Sequence, residues 1–210
     1  MRDHAMNKKQ FVLFAALLVG ACQAQPAQPP LSQAPLAGAA IGGDFTLTDQ
    51  DGKARSYAEF NGKYRIVYFG YTNCPDICTP DMQNLMAGLK LFEKSHPALA
   101  TELQPIFITV DPARDTPAIL KQFVSAFHPR LIGLAGTEAQ IAETAKKFAV
   151  YYGKVPGGTT TSYVMSHSQT PYLMGPDGKP LAILPADTPQ TPENDGAPDM
   201  VAAELTKWVR

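Results

Sequence analysis

The stretch Arg65-Ile66-Val67-Tyr68-Phe69-Gly70-Tyr71-Thr72-Asn73-Cys74-Pro75-Asp76-Ile77-Cys78-Thr79-Pro80-Asp81 decides how this chain folds. Arg65 to Tyr71 is dominated by β-branched and aromatic residues with no alternation of polar positions, the pattern of a strand buried on both faces. Thr79-Pro80-Asp81 reads as N-cap, first-turn proline and first-turn acid, so a helix follows at once. That helix is predicted to about Glu93, with Leu85, Leu89 and Phe92 on one face. Two cysteines therefore sit in the turn between a central strand and a helix N-terminus.

Working outward, the same alternation continues. Phe45 to Thr48 reads as a strand before the Asp51-Gly52 turn. Pro105 to Val110 is a second buried strand, and Asp111 to Pro117 is a loop that opens another helix carrying Phe123 and Phe127. Leu131 to Leu134 is a short strand. Thr137-Glu138-Ala139-Gln140 matches a capping box, with a helix to Phe148. Tyr172-Leu173-Met174 and Leu181 to Leu184 form a hairpin around Pro176-Asp177-Gly178-Lys179. Residues 185–198 are a proline-rich loop, and Asp199 to Val209 is a closing helix. The order β-helix-β-helix-β-helix-β-β-helix predicts an α/β fold with a central sheet and helices on both faces.

The chain has 210 residues, 45% hydrophobic and 18% charged, with a net charge of −1. That length suits one domain with a real core. The near-neutral balance argues against nucleic-acid binding, which rests on a basic excess. No apolar run reaches the ~18 residues of a membrane-spanning helix. Three cysteines are too few for a disulfide-stapled scaffold of this length, and they are an odd number.

Cys22 accounts for the odd one. Lys8-Lys9 followed by the apolar run Phe11 to Val19 reads as a signal peptide over residues 1–21. The ending Leu18-Val19-Gly20-Ala21-Cys22 resembles a bacterial lipobox, in which Cys22 is lipidated; an ordinary cut that leaves Cys22 incidental is the alternative. This reading places the protein on the periplasmic side of a bacterial membrane, held by a lipid anchor. Arg2, Lys8, Lys9 and Asp3 together carry +2, so the remainder carries −3. Residues 22–43, rich in Ala, Gln, Pro and Gly, are expected to be a solvated tether. The folded domain is expected over 44–210.

Cys74 and Cys78 then carry the chemistry. A helix N-terminus favours anions and lowers the cost of a thiolate. At the spacing Cys-x-x-x-Cys both sulfurs can face one small space, which serves either a disulfide or a soft metal ion. Of the histidines, His4 lies in the signal, and His96 and His128 each precede a proline in a connection and read as solvated loop residues. His167 differs, because it stands just before a strand, at the sheet edge where strand-adjacent loops of an α/β protein converge.

Three motifs in this order closely resemble the Sco/SenC family: Tyr68 to Cys78, then Val110-Asp111-Pro112-Ala113-Arg114-Asp115-Thr116-Pro117, then His167-Ser168 followed by Tyr172 to Gly178. The resemblance runs from about Asp44 to Leu184. It implies a thioredoxin-like fold and a copper chaperone that helps assemble the Cu-A centre of cytochrome c oxidase, with Cys74, Cys78 and His167 as copper ligands. The implied partner is a copper-site subunit of a membrane cytochrome oxidase, and the implied state a monomer. Two thiolates and an imidazole form a soft set that suits Cu(I) and, with further ligands, holds Cu(II). Zinc would prefer a fourth ligand. Met82 and Met165 lie close enough in sequence to offer a thioether but read as packing. Many relatives carry an aspartate before the histidine, where this chain has Ser166. Pro171 stands where thioredoxin-like proteins often carry a cis-proline, and is expected to be cis.

Two other functions fit the fold. A thiol–disulfide oxidoreductase would use Cys74 and Cys78 as its redox pair to keep the partner's copper-site cysteines reduced. A thiol peroxidase is disfavoured, because Gly70-Tyr71-Thr72-Asn73 lacks the proline that usually precedes a peroxidatic cysteine. Asp111, Arg114 and Asp115 read as loop-folding residues rather than as parts of a site.

Overall fold

The structure, a computed structural model, describes residues 28–74, 78–156, 159, 162–187 and 196–210. Nine strands and five α-helices occur among them: β1 (Thr46–Asp49), β2 (Ala54–Ser56), β3 (Tyr64–Gly70), α1 (Cys78–Ser95), α2 (Pro97–Ala100), β4 (Leu103–Thr109), α3 (Pro117–Ser125), β5 (Ile132–Ala135), α4 (Glu138–Lys147), β6 (Tyr152–Lys154), β7 (Met165–His167), β8 (Tyr172–Met174), β9 (Pro180–Ile183) and α5 (Pro198–Trp208). Seven strands form one mixed sheet in the order β2-β1-β5-β4-β3-β8-β9, parallel at β3–β4 and β4–β5 and antiparallel elsewhere. β6 and β7 form a separate two-stranded ribbon.

Strand β3 is buried along its whole length, as its composition predicts. Its side chains alternate between two cores. Tyr64, Ile66 and Tyr68 meet α1, α3 and α5 on one face, and Val67, Phe69 and Tyr71 meet α4 on the other. This is the expected thioredoxin-like α/β architecture, with helices on both faces of the sheet. The Thr137–Gln140 capping box forms as predicted, with both reciprocal hydrogen bonds.

Some expectations do not hold. Residues 28–43 are not a free tether. Ala34 is buried in the core, the Leu36 N–H donates to the Leu181 carbonyl at 2.9 Å, and Arg210 donates to the Pro29 carbonyl at 2.6 Å. The few apolar side chains in this Pro- and Ala-rich run (Leu31, Leu36, Ile41) suffice to seat it on the domain, although they show no periodicity. Residues 1–21 and Cys22 lie outside the described residues. Pro171 is trans, since no cis peptide occurs among the described residues; its carbonyl accepts from the Leu184 N–H at 2.8 Å and so continues the β8–β9 ladder. The ribbon β6–β7 was not expected, since each of its strands is only three residues long.

His128 is also misread as solvated. It is 3% exposed and its Nε2 lies 3.2 Å from Glu93, whose other oxygen pairs with Arg130. Burial holds its pKa below the ordinary 6.5, against the opposing pull of Glu93. A base with a depressed folded pKa binds its proton more readily when unfolded. Stability therefore declines as pH falls below about 6.5. Unfolding midpoints at pH 7.5 and 5.5 check this, and in His128→Gln the gap between them is expected to narrow.

Helices α1 and α5 close one face through Gly88, where an added Cβ would stand 2.5 Å from the Val201 Cβ and 2.7 Å from the Pro198 carbonyl oxygen. Gly88→Val is expected to cost about 1–3 kcal/mol through overpacking, read as a lower thermal midpoint.

Candidate metal centre

The turn from β3 into α1 lies at the C-terminal edge of the parallel strands, where α/β folds place their sites. The helix starts at Cys78 itself, one residue before the predicted cap. Cys78 is fully buried, in the core that holds Phe69 and Tyr71, while Cys74 is half-buried. The two sulfurs are not joined: both residues are thiols. The Cys78 N–H donates to the Cys74 Sγ at 3.3 Å, so the first amide of the helix does serve a sulfur.

His167 reaches the same point from the far end of the ribbon. Its Nε2 lies 3.0 Å from the Cys78 Sγ. Its Nδ1 lies 3.0 Å from the Ser168 carbonyl oxygen, which can only accept, so Nδ1 carries the proton and Nε2 presents its lone pair to the sulfurs. That contact answers the missing aspartate: a backbone carbonyl orients the ring, and Ser166 lies exposed on the other side of the strand. Tyr68 and Tyr71 stand edge-on to the imidazole, with ring centroids at 6.2 and 5.9 Å. One ligand atom from each of Cys74, Cys78 and His167 falls within 4.8 Å of the others.

The expected thiolate-favouring environment is overruled at Cys78. Its hydrogen bond with Cys74 and then its burial push its pKa well up, so without a cation it is a neutral thiol. The helix terminus is outweighed first by that hydrogen bond and then by burial. An incoming cation has to displace the proton.

Both arms of the site are braced by the loop after β4. Asp115 accepts from the Thr72 N–H at 3.0 Å, the Thr72 hydroxyl at 2.6 Å and the Thr109 hydroxyl. Asp111 pairs with Arg114 and accepts from the Tyr163 hydroxyl at 2.6 Å, and Arg114 donates to the Tyr163 carbonyl at 2.8 Å. The Met165 N–H donates to the Tyr71 hydroxyl at 3.3 Å. Asp111, Arg114 and Asp115 therefore do more than fold their own loop: they fix the approach to Cys74 and the base of the ribbon that bears His167. Met82 and Met165 are buried in opposite cores, as packing residues. Tyr71 and Tyr163 were not expected to support the site, and the aromatic pair Tyr151-Tyr152 was the available sign of β6.

The comparisons with known proteins agree with this geometry. The SCO1/SenC family model matches residues 33–200. The chain is 44% identical over 141 residues to the mitochondrial SCO2 homolog of Bos taurus, covering 67% of this chain and 52% of that protein. It thus spans about half the length of that curated relative. The structure titled Bradyrhizobium japonicum ScoI with copper bound superposes with a TM-score of 0.67 at 38% identity, covering 81% of this chain and all of that one. A disulfide-switch structure of BsSco, titled a member of the Sco family of cytochrome c oxidase assembly proteins, gives 0.59 at 28% identity and covers 79% and 91%. The expected periplasmic, lipid-anchored location does not stand, because the curated relatives from cattle, mouse and human are mitochondrial proteins. A short basic and apolar leader does not by itself specify a compartment. Motifs, site geometry and matches over most of its length agree that the chain belongs to the SCO1/SenC family.

Proposed function

We propose that this protein is a copper chaperone that holds one copper ion on Cys74, Cys78 and His167 and delivers it to a copper-site subunit of cytochrome c oxidase. The observation that carries this reading is the convergence of two sulfurs and an oriented imidazole within 4.8 Å. Soft sulfur with one nitrogen suits Cu(I), and three ligands leave a position for a recipient's ligand to enter. Zinc would lack its fourth ligand. The copper-bound relatives and the oxidase-assembly relative support the choice of metal and partner. One chain supplies the whole ligand set, which fits a monomer.

The ion's release is a ligand exchange. Cys74 is half-buried and Cys78 fully buried. An incoming thiolate or imidazole therefore meets the ion at the Cys74 and His167 side, while Cys78 holds on last.

A thiol–disulfide role is a second reading, favoured by the two unjoined thiols on one turn. Reducing a partner disulfide passes two electrons and two protons from Cys74 and Cys78 to it, leaves this pair joined and abolishes the soft site, so the two roles exclude each other in time.

Titration of the reduced protein with copper is expected to saturate at one equivalent. A thiolate-to-copper charge-transfer band should appear in the Cu(II) form and vanish on alkylation. Cys74→Ala, Cys78→Ala and His167→Ala should each weaken binding at least tenfold. Undiminished binding in His167→Ala would sink the three-ligand site. In cells, oxidase assembly that survives His167→Ala but fails in either cysteine variant would give the redox reading the lead.

A further inference from the structure

We propose that Asp81 sets the charge-state preference of the site, acting through space to favour Cu(II) relative to Cu(I). The proposal rests on the copper-binding reading above. Asp81 follows Cys78 by three residues in α1, which places both on one side of the helix. It is 4% exposed. Its Oδ2 accepts from the Tyr68 hydroxyl at 2.8 Å, while its Oδ1 is buried without a hydrogen-bond partner among the described residues. Among the described residues no lysine or arginine forms an ion pair with it.

Tyr68 connects this carboxylate to the site. Its ring stands edge-on to His167 at 6.2 Å, and a Cβ added at Gly70 would touch both the Tyr68 ring at 3.0 Å and the Cys78 Sγ at 3.2 Å. Asp81 is electrostatically coupled to His167 and Cys74, and Asp187 adds a second negative charge nearby. Yet Asp81 is not in the group of ligand atoms that lie within 4.8 Å of one another. It is therefore a positioning charge rather than a ligand.

A half-satisfied buried carboxylate costs stability, and a neutral side chain would pack as well. Burial raises the pKa of Asp81 while the Tyr68 hydroxyl opposes the rise; in its ionised form the carboxylate adds a negative charge in a poorly screened setting. Such a charge attracts a divalent ion twice as strongly as a monovalent one at the same distance. Removing it weakens Cu(II) more than Cu(I).

The test uses the reduced full chain under anaerobic conditions. Cu(I) and Cu(II) dissociation constants are measured by competition with chromophoric chelators, and the midpoint potential of the bound ion is measured separately. In Asp81→Asn the preference for Cu(II) over Cu(I) is expected to fall about tenfold, a rise in potential of ~59 mV for a one-electron couple. Asp81→Glu should restore the wild-type ratio, and the remote Glu143→Gln should leave it unchanged. If the Asn variant does not fold, the neutral Asp81→Ser gives the same reading. Equal loss of both affinities, or no change in their ratio, would show Asp81 to be structural and overturn the proposal. Absence of copper binding in the wild type would instead remove the reading on which it rests.

Discussion

Asp115 is 1% exposed, and its two carboxylate oxygens gather donors from Thr72, in the loop after β3, and from Thr109, at the end of β4. A buried carboxylate must be satisfied or it destabilises the fold. Here the donors that satisfy it belong to neighbouring parallel strands, so the requirement fixes where the chain leaves β3. Cys74 lies two residues after Thr72, and its position follows from that bond. Burial raises the pKa of Asp115 while its three hydrogen bonds oppose the shift. The net direction is upward, so the three hydrogen bonds offset only part of the cost of burying this carboxylate.

The same loop governs the second arm. Asp111 and Arg114 grip Tyr163 by its hydroxyl, its carbonyl and its ring face, the guanidinium carbon standing 3.6 Å from the ring centroid. Tyr163 precedes β7, whose last residue is His167. One short connection thus sets both halves of a site whose ligands are far apart in sequence. The aromatic walls of Tyr68 and Tyr71 restrict the imidazole to one plane, and the Ser168 carbonyl selects its tautomer. Within this apolar enclosure neutral ligands are favoured until a cation arrives, which suits a site that alternates between loaded and empty.

The sequence was most informative where its demands were local and strong. The β-branched and aromatic stretch Arg65 to Tyr71, the Thr-Pro-Asp helix start and the Thr137 capping box each encode their geometry in adjacent residues, and all three elements appear within a residue or two of their predicted bounds. Cys74, Cys78 and His167 were legible through their motifs. What escaped depends on partners remote in sequence. Nothing near Asp115 announces Thr72, and nothing near His128 announces Glu93. Leu36 and Ile41 lack any periodic neighbour, so their packing could not be read from pattern. The ribbon strands, only three residues each, are too short for alternation to register.

The ribbon β6–β7 belongs to no other sheet. Its hydrogen-bond ladder is closed on itself, and it is held to the domain by Tyr163 on Asp111 and Arg114 and by the Met165 N–H on the Tyr71 hydroxyl. The sulfur pair is four residues apart on one turn, whereas the imidazole is 89 residues from Cys78. The three ligands thus sit on two supports held by different sets of bonds. The thiols belong to the turn between β3 and α1, and the histidine to the ribbon, which its braces at Tyr163 and Met165 hold against that turn. An ion bound here would join two pieces of the fold that share no strand pairing, so loading the site would also tie the ribbon to the sheet.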